Sequence, residues 1–480
     1  MLSVTVLPVI YSNFLNIDIF VVLKAIYPFF FAFVPLCLYC VYKTQIDDVY
    51  AFLATIFFIS IPIYYLELTS MARVEIAELF FALLILVMID KKISKFQKGV
   101  LLCCFTFSLI VSHYGTMFIY IFLLSISFLL LKIIQKIFDV QFKNFSFLNV
   151  QYILLSFIMM ISWYMYAGLS SPMVTITNIT EEASKYLGLG FFTQTATDPM
   201  ILQALGQQGP TSFVYLLMRI FYYLSFFFIF LGVVTTIRKI GIKDNNCKVD
   251  KEFLIISNTA LILLVFFTFI PFFALAHGIG RIFQIFLFFL APFCIIGIEF
   301  CLIIVSELIK TIINLGKHSD LKGYQLHKKS ICACSLLFIV LFYILNSGFI
   351  QEISDDEPFS YVMNNEKFVW QFTFPEDIFC LNWISNTTGD KTIYSDIYRV
   401  QYVFFGYNLF SEDTLKIFTS STQDFYEGSY IFLPYGDIIY QNSKEISSMS
   451  KAKKMYPESN LNKLNKIFDN HAIVYLARVE

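Results

Sequence analysis

Charge is what this sequence has least of. Only 14% of its 480 residues are Asp, Glu, Lys or Arg, against about a quarter in soluble domains. The formal net charge is −1, so no basic excess argues for nucleic acid as a partner. Also absent are a Walker loop, a GxSxG elbow, an HExxH helix and a doubled CxxC. ATPase, serine hydrolase and zinc chemistry therefore have no motif behind them. Of ten cysteines, Cys380 stands alone after residue 349, which excludes a disulfide framework there. Cys37 and Cys40 have CxxC spacing but lie in an apolar run with no accompanying His or second pair, so they read as packing. No long repeat or low-complexity tract is visible.

What the chain does have is apolar length. Hydrophobic residues make up 58% of it, and the mean hydropathy is +0.70. Runs able to cross a hydrocarbon core of about 30 Å begin near residues 20, 49, 74, 97, 115, 151, 213, 253, 281 and 331. The pattern predicts a mostly α fold: a polytopic transmembrane bundle of about ten helices embedded in the lipid bilayer. If all ten cross, every basic cluster falls on one side: Lys43; Lys91 to Lys98; Lys132 to Lys143; Arg238 to Lys251; Lys310 to Lys329. The positive-inside rule makes that side cytoplasmic. Residues 97–112 and 115–131 then count as two helices parted at Ser112–Gly115, because merging them breaks the alternation.

Two further regions stand out. The polar segment 169–212 is too long for a simple turn and is placed outside. From residue 349 acidic residues appear and the pattern changes to short alternating stretches. Strands are expected at 391–395, 415–418, 429–433 and 472–477, and helices at 376–385 and 451–468. The domain reading is thus 1–348, transmembrane, and 349–480, an extracytoplasmic α/β domain. Asn178 and Asn386 match the short glycosylation pattern.

Ionisable groups at helix ends cost several kcal/mol to bury in lipid and are candidates for function. They gather on the expected outer side. Glu67, Arg73, Glu75 and Glu78 bracket one turn, His113 and Tyr114 sit at the next, His277 and Arg281 at a third, and Arg219 about two turns inside its helix. Glu75 and Glu78 are three apart and share a helix face. With Arg73 before them, the pair could hold a divalent cation or act as a base beside a bound phosphate. His113 is a candidate third catalytic group. Arg219, Arg281 and His277 suit a lipid-linked phosphate. The same side chains could instead snorkel to headgroups or pair with one another, and His113 could be a packing residue.

Residues 20–43, 68–90 (LTSMARVEIAELFFALLILVMID), 112–115 (SHYG), 281–299 (RIFQIFLFFLAPFCIIGIE) and the tail 465–476 (NKIFDNHAIVYL) resemble a family of methanogen, hence archaeal, membrane proteins. That family's architecture is similar to the glycosyltransferases that take sugar from a polyprenyl-phosphate donor at the outer membrane face, the C-type glycosyltransferase superfamily. The resemblance implies a cell-envelope glycosyltransferase with a polyprenyl-phosphate-linked sugar as its partner molecule. With residues 1–19 resembling the end of that superfamily's first outer loop, it also implies either that an N-terminal helix and acidic loop are missing or that this member has lost the acidic site. Asp18 alone does not replace the acidic pair, and Arg73, Glu75 and Glu78 occupy a second outer site of the superfamily. Two rival readings remain. One is a lipid-linked glycan flippase or other transporter, which ten helices and the helix-breaking Pro35, Pro62, Pro271 and Pro292 would also fit. The other is a non-catalytic scaffold whose outer domain binds an envelope protein.

Overall fold

The computed structural model describes residues 2–67, 71–138, 149–167, 212–241, 248–270, 278–316, 328–354, 373–387, 391–395, 414–417, 428–435 and 464–476, with a few isolated positions between them. The segment 169–212 lies almost wholly outside the described residues. The chain forms two compact units, Met1–Ser360 and Tyr361–Glu480.

The first unit is a helix bundle. Its elements are α1 (Leu7–Leu15), α2 (Ile19–Gln45), α3 (Asp48–Ile59), α4 (Ala72–Ile89), α5 (Lys95–Ser112), α6 (Tyr114–Phe138), α7 (Val150–Ala167), α8 (Phe213–Gly241), α9 (Lys251–Phe269), α10 (Ile279–Gly316) and α11 (Lys328–Asn346). Among the described residues eight helices are long and apolar enough to cross a membrane. The two expected spans that fall short do so for different reasons. Helix α3 has 12 residues, below the roughly 20 a crossing needs, and α4 begins with Arg73, Glu75 and Glu78. Both still pack into the common core. Residues 2–5 and 7–15 are helical rather than the end of a loop, and Asn16 closes α1 in the left-handed conformation. The expected break at Ser112–Gly115 is present, with His113 extended between α5 and α6.

Helix α10 is the centre of the bundle. Phe283 and Ile285 to Ile296 are buried on every side, the pattern of a helix with no lipid- or water-facing stripe. Pro292 lies inside it. Proline lacks the N–H that would reach the carbonyl four residues back, and the buried Tyr42 hydroxyl takes its place, donating to the carbonyls of Leu287 at 3.0 Å and Phe288 at 3.2 Å. Tyr42→Phe is expected to leave that carbonyl unpaired and to cost about 1–3 kcal/mol. A thermal-unfolding comparison in detergent checks this.

Helices α8 and α10 run parallel. Tyr222 and Phe226 meet Phe283, and ten residues further along each helix Gly232 meets Phe293. Their backbones touch there. A Cβ on Gly232 would fall 1.9 Å from the Phe293 carbonyl oxygen, and one on Gly297 would fall 1.9 Å from that of Phe228. Small residues permit such close crossings in membrane bundles.

The lysines of four of the five expected inner clusters meet acidic groups at one end of the bundle. Asp47 pairs with Lys248 at 2.9 Å and Lys328 at 2.7 Å, Asp250 with Lys91 at 2.6 Å, and Asp48 with Lys43 at 3.1 Å. Hydrogen bonds from Lys328 and Lys248 hold the Asp47 carboxyl below the usual carboxylate range. The Lys98 ammonium caps α4 at the same end through the carbonyls of Met88 and Asp90. The acidic ends of the candidate list therefore lie at the opposite end of the bundle, where α4 and α10 begin.

The second unit holds α12 (Pro375–Thr387) and five strands: β1 (Ile393–Ser395), β2 (Leu415–Ile417), β3 (Tyr430–Leu433), β4 (Asn465–Asp469) and β5 (Ile473–Leu476). Their order is β2-β1-β3-β5-β4, the first three parallel and the last two antiparallel to their neighbours. Four strands stand where the sequence predicts them. The expected helix 451–468 is corrected at its end, since 465–468 belong to β4. Residues 451–463 lie outside the described residues. The Asn470–His471 turn folds β4 onto β5, with Asp469 Oδ1 accepting the His471 N–H at 3.0 Å and Asn470 Oδ1 that of Ala472 at 3.2 Å, so a tight hairpin overrides helical propensity. Asp377 ties α12 to the end of β3 by accepting the N–H groups of Phe374 and Tyr435 at 3.0 and 2.7 Å. Burial, with Asp377 alongside, pushes the Cys380 thiol up to about 12. Cys380 is therefore expected to resist maleimide at neutral pH until this unit unfolds, which mass spectrometry of the labelled protein reads directly.

Candidate functional site

The first turns of α4 carry the site. Glu75 and Glu78 lie three apart on one face, and each is only 1% exposed. Glu75 falls in the first helical turn, where a negative charge is favoured by the helix dipole. The two carboxyls differ in their partners. Glu78 Oε2 accepts a 3.0 Å hydrogen bond from the Gln284 amide, which is itself buried on α10. Neither oxygen of Glu75 has a hydrogen-bond partner among the described residues. Leaving a buried polar group unpaired costs free energy, so this carboxyl calls for explanation.

Two π-helical turns flank the pair. Val22–Ile26 in α2 carries Lys24, and Ile63–Glu67 after α3 carries Tyr64. Lys24 and Tyr27 are within electrostatic reach of Glu75, and Tyr64 is within reach of Glu78. Single π-turns inserted in helices recur at functional sites. Here each presents a polar group to one carboxylate. Tyr27 also donates to the Ser3 carbonyl, and Ser3 Oγ donates to the Ser112 carbonyl at 3.1 Å. The N-terminal helices are thereby pinned over the same end.

The other sequence-predicted residues are distributed as follows. Arg73 is exposed on α4; two positions from Glu75, it does not share its face. His113 is half-buried, and its Nδ1 accepts the Thr116 N–H at 3.2 Å and contacts the Thr116 hydroxyl at 2.8 Å. That is the geometry of a side-chain cap on α6. Arg281 is half-buried one turn before Gln284 on α10, hence on the same side of the helix. Its side chain passes 3.9 Å from where a Gly278 Cβ would be. Arg219 is half-buried one turn before Tyr222 on α8. Since Tyr222 packs beside Phe283, the two arginines sit at the same end of parallel helices. His277 and the side chain of Glu67 lie outside the described residues.

Lys24, Tyr27, Tyr64 and Gln284 escaped the sequence reading. A signal existed for two of them, because Lys24 and Gln284 are isolated polar residues in long apolar runs, and the cost of burying such groups marks them.

No three His, Cys, Asp or Glu side chains cluster as a metal site among the described residues. Magnesium is often held by one or two carboxylates with water and substrate phosphate supplying the rest, and Glu75 and Glu78 could supply that share. Equally, a carboxylate without a donor can accept a proton from a bound hydroxyl.

A family model described as "Predicted membrane protein (DUF2206)" matches residues 98–477. The match takes in His113, Arg219, Arg281, Gln284 and the strands of the second unit; Glu75 and Glu78 precede it. No curated protein matches the chain.

Proposed function

From the premise that the chain belongs to the DUF2206 family of predicted membrane proteins, we propose that this multi-pass protein is a glycosyltransferase-like enzyme using a lipid-phosphate-linked sugar. In this reading the end bearing Glu75 and Glu78 faces out of an archaeal cell membrane, as does the C-terminal α/β unit. The observation that carries it is the pairing of an unpartnered buried carboxyl, Glu75, with a fixed one, Glu78, at the bundle end that also holds Arg219 and Arg281.

The acceptor hydroxyl oxygen would attack the anomeric carbon of the donor. A new C–O bond forms, the bond from that carbon to the phosphate oxygen breaks, and the electron pair leaves with the polyprenyl phosphate. The hydroxyl proton goes to the acidic pair. General-base assistance of this kind contributes about 10²–10⁴-fold, and guanidinium groups offset the charge that develops on the departing phosphate.

The test is donor binding. Full-length protein in nanodiscs is titrated with a short-chain polyprenyl-phosphate hexose and, separately, with the matching polyprenol. Saturable binding of the phosphate form alone, weakened at least about tenfold by Arg281→Gln, supports the reading, a loss in the range of a charge-assisted hydrogen bond. Equal binding of both, or binding indifferent to Arg281 and Arg219, contradicts it.

A further inference from the structure

Two carboxyls on one helix face need not do one job. Glu78 is held: its Oε2 is occupied by the Gln284 amide at 3.0 Å, across a helix contact between residues 206 positions apart. Glu75 is not held, and both of its oxygens are buried without a donor among the described residues. Among the described residues, the charged and titratable groups facing Glu75 are Lys24 and Tyr27 from α2 and Glu78 from its own helix. Tyr27 already spends its hydroxyl on the Ser3 carbonyl, so it offers Glu75 no proton. Glu75 thus has both oxygens open to a donor, whereas Glu78 has one of its two tied to α10.

We propose that Glu75 is the carboxyl that meets the acceptor hydroxyl and takes its proton, and that Gln284 is a positioning residue that keeps Glu78 out of that exchange. This division rests on the glycosyl-transfer reading for its substrate, but its structural core does not. The carboxyl oxygen of Glu75 gains the acceptor's proton as the acceptor oxygen bonds to the sugar. Glu78, bonded to the amide, keeps its place and adds negative charge behind Glu75.

A probe independent of any sugar separates the two carboxyls. N,N′-dicyclohexylcarbodiimide partitions into bilayers and adds to carboxyl groups in apolar surroundings. The carboxyl O–H adds across one C=N bond, and an acyl shift then gives a stable N-acylurea with nothing released. Full-length protein in nanodiscs is treated with the reagent, and the fragment spectrum of the peptide from α4 assigns the adduct. The expected result is an adduct on Glu75 and none on Glu78. In Gln284→Leu the adduct on Glu75 persists, which shows the bundle intact, and a second appears on Glu78. An adduct on Glu78 in the unaltered protein, or on neither residue, overturns the division of labour, as does a Gln284→Leu protein that still reacts at Glu75 alone. Protection of Glu75 by a short-chain polyprenyl-phosphate hexose is read separately. If labelling follows the expected pattern but the donor gives no protection, the substrate assignment fails while the assignment of the two carboxyls stands.

Discussion

Glu75→Gln is expected to lower sugar transfer about 10²–10⁴-fold, the range lost when a positioned general base is removed, with little change in donor affinity. The substitution keeps the size of the side chain and removes its charge and its ability to take a proton. Since Glu75 makes no hydrogen bond among the described residues, no partner is orphaned by the change, and the folded bundle should survive. Glu78→Gln should behave differently. Its partner, the Gln284 amide, loses a carboxylate acceptor, so part of the effect falls on stability as well as rate. Single-turnover kinetics, with thermal unfolding measured alongside, distinguishes the two. A Glu75→Gln enzyme with unaltered turnover removes this carboxyl from the chemistry.

The second large effect is structural. Gly232→Leu is expected to prevent recovery of a monodisperse protein, because even the first carbon of the new side chain would lie 1.9 Å from a backbone carbonyl oxygen of α10. Neither helix can yield without disturbing α10, around which α3, α8, α9 and α11 pack. Overpacking at ordinary core positions costs about 1–3 kcal/mol, and a backbone collision at the central helix exceeds that range. Gly297→Leu should fail in the same way. Gly99→Ala is the control: nothing lies within 4 Å of its Cβ position, and the gain in helix propensity is favourable by about 1 kcal/mol. Size-exclusion profiles of the three variants decide the point.

These expectations also mark how far the sequence could be read. Helix positions follow from uninterrupted apolar length, a local property, and the break at His113 follows from where basic residues fall. Transmembrane capacity is less legible at α3, whose 12 residues merge in hydropathy with the apolar residues after them. Helix and strand could not be told apart at 465–468, because four residues of mixed polarity fit either period; the hairpin with β5 decides it. At the site, the spacing of Glu75 and Glu78 showed that they share a face. It could not show that one is held and the other free, since the amide that makes the difference lies 206 positions away. Nor could it show that His113 caps α6 through Thr116, although the three-residue spacing is short enough to be checked for in any sequence. Tyr42 and Pro292 make the same point from the other side. The proline announces a missing hydrogen bond, and only the folded chain shows which hydroxyl supplies it.

The central claim is that the buried end of α4 carries out glycosyl transfer from a lipid phosphate. The most direct measurement is the release of polyprenyl phosphate from a short-chain polyprenyl-phosphate hexose by the full-length protein in nanodiscs, followed by mass spectrometry with magnesium present and with it chelated. The account predicts time-dependent release that depends on Glu75. Donor left intact, with an acceptor pool of sugars, glycolipids and peptides present and the protein folded, would contradict it.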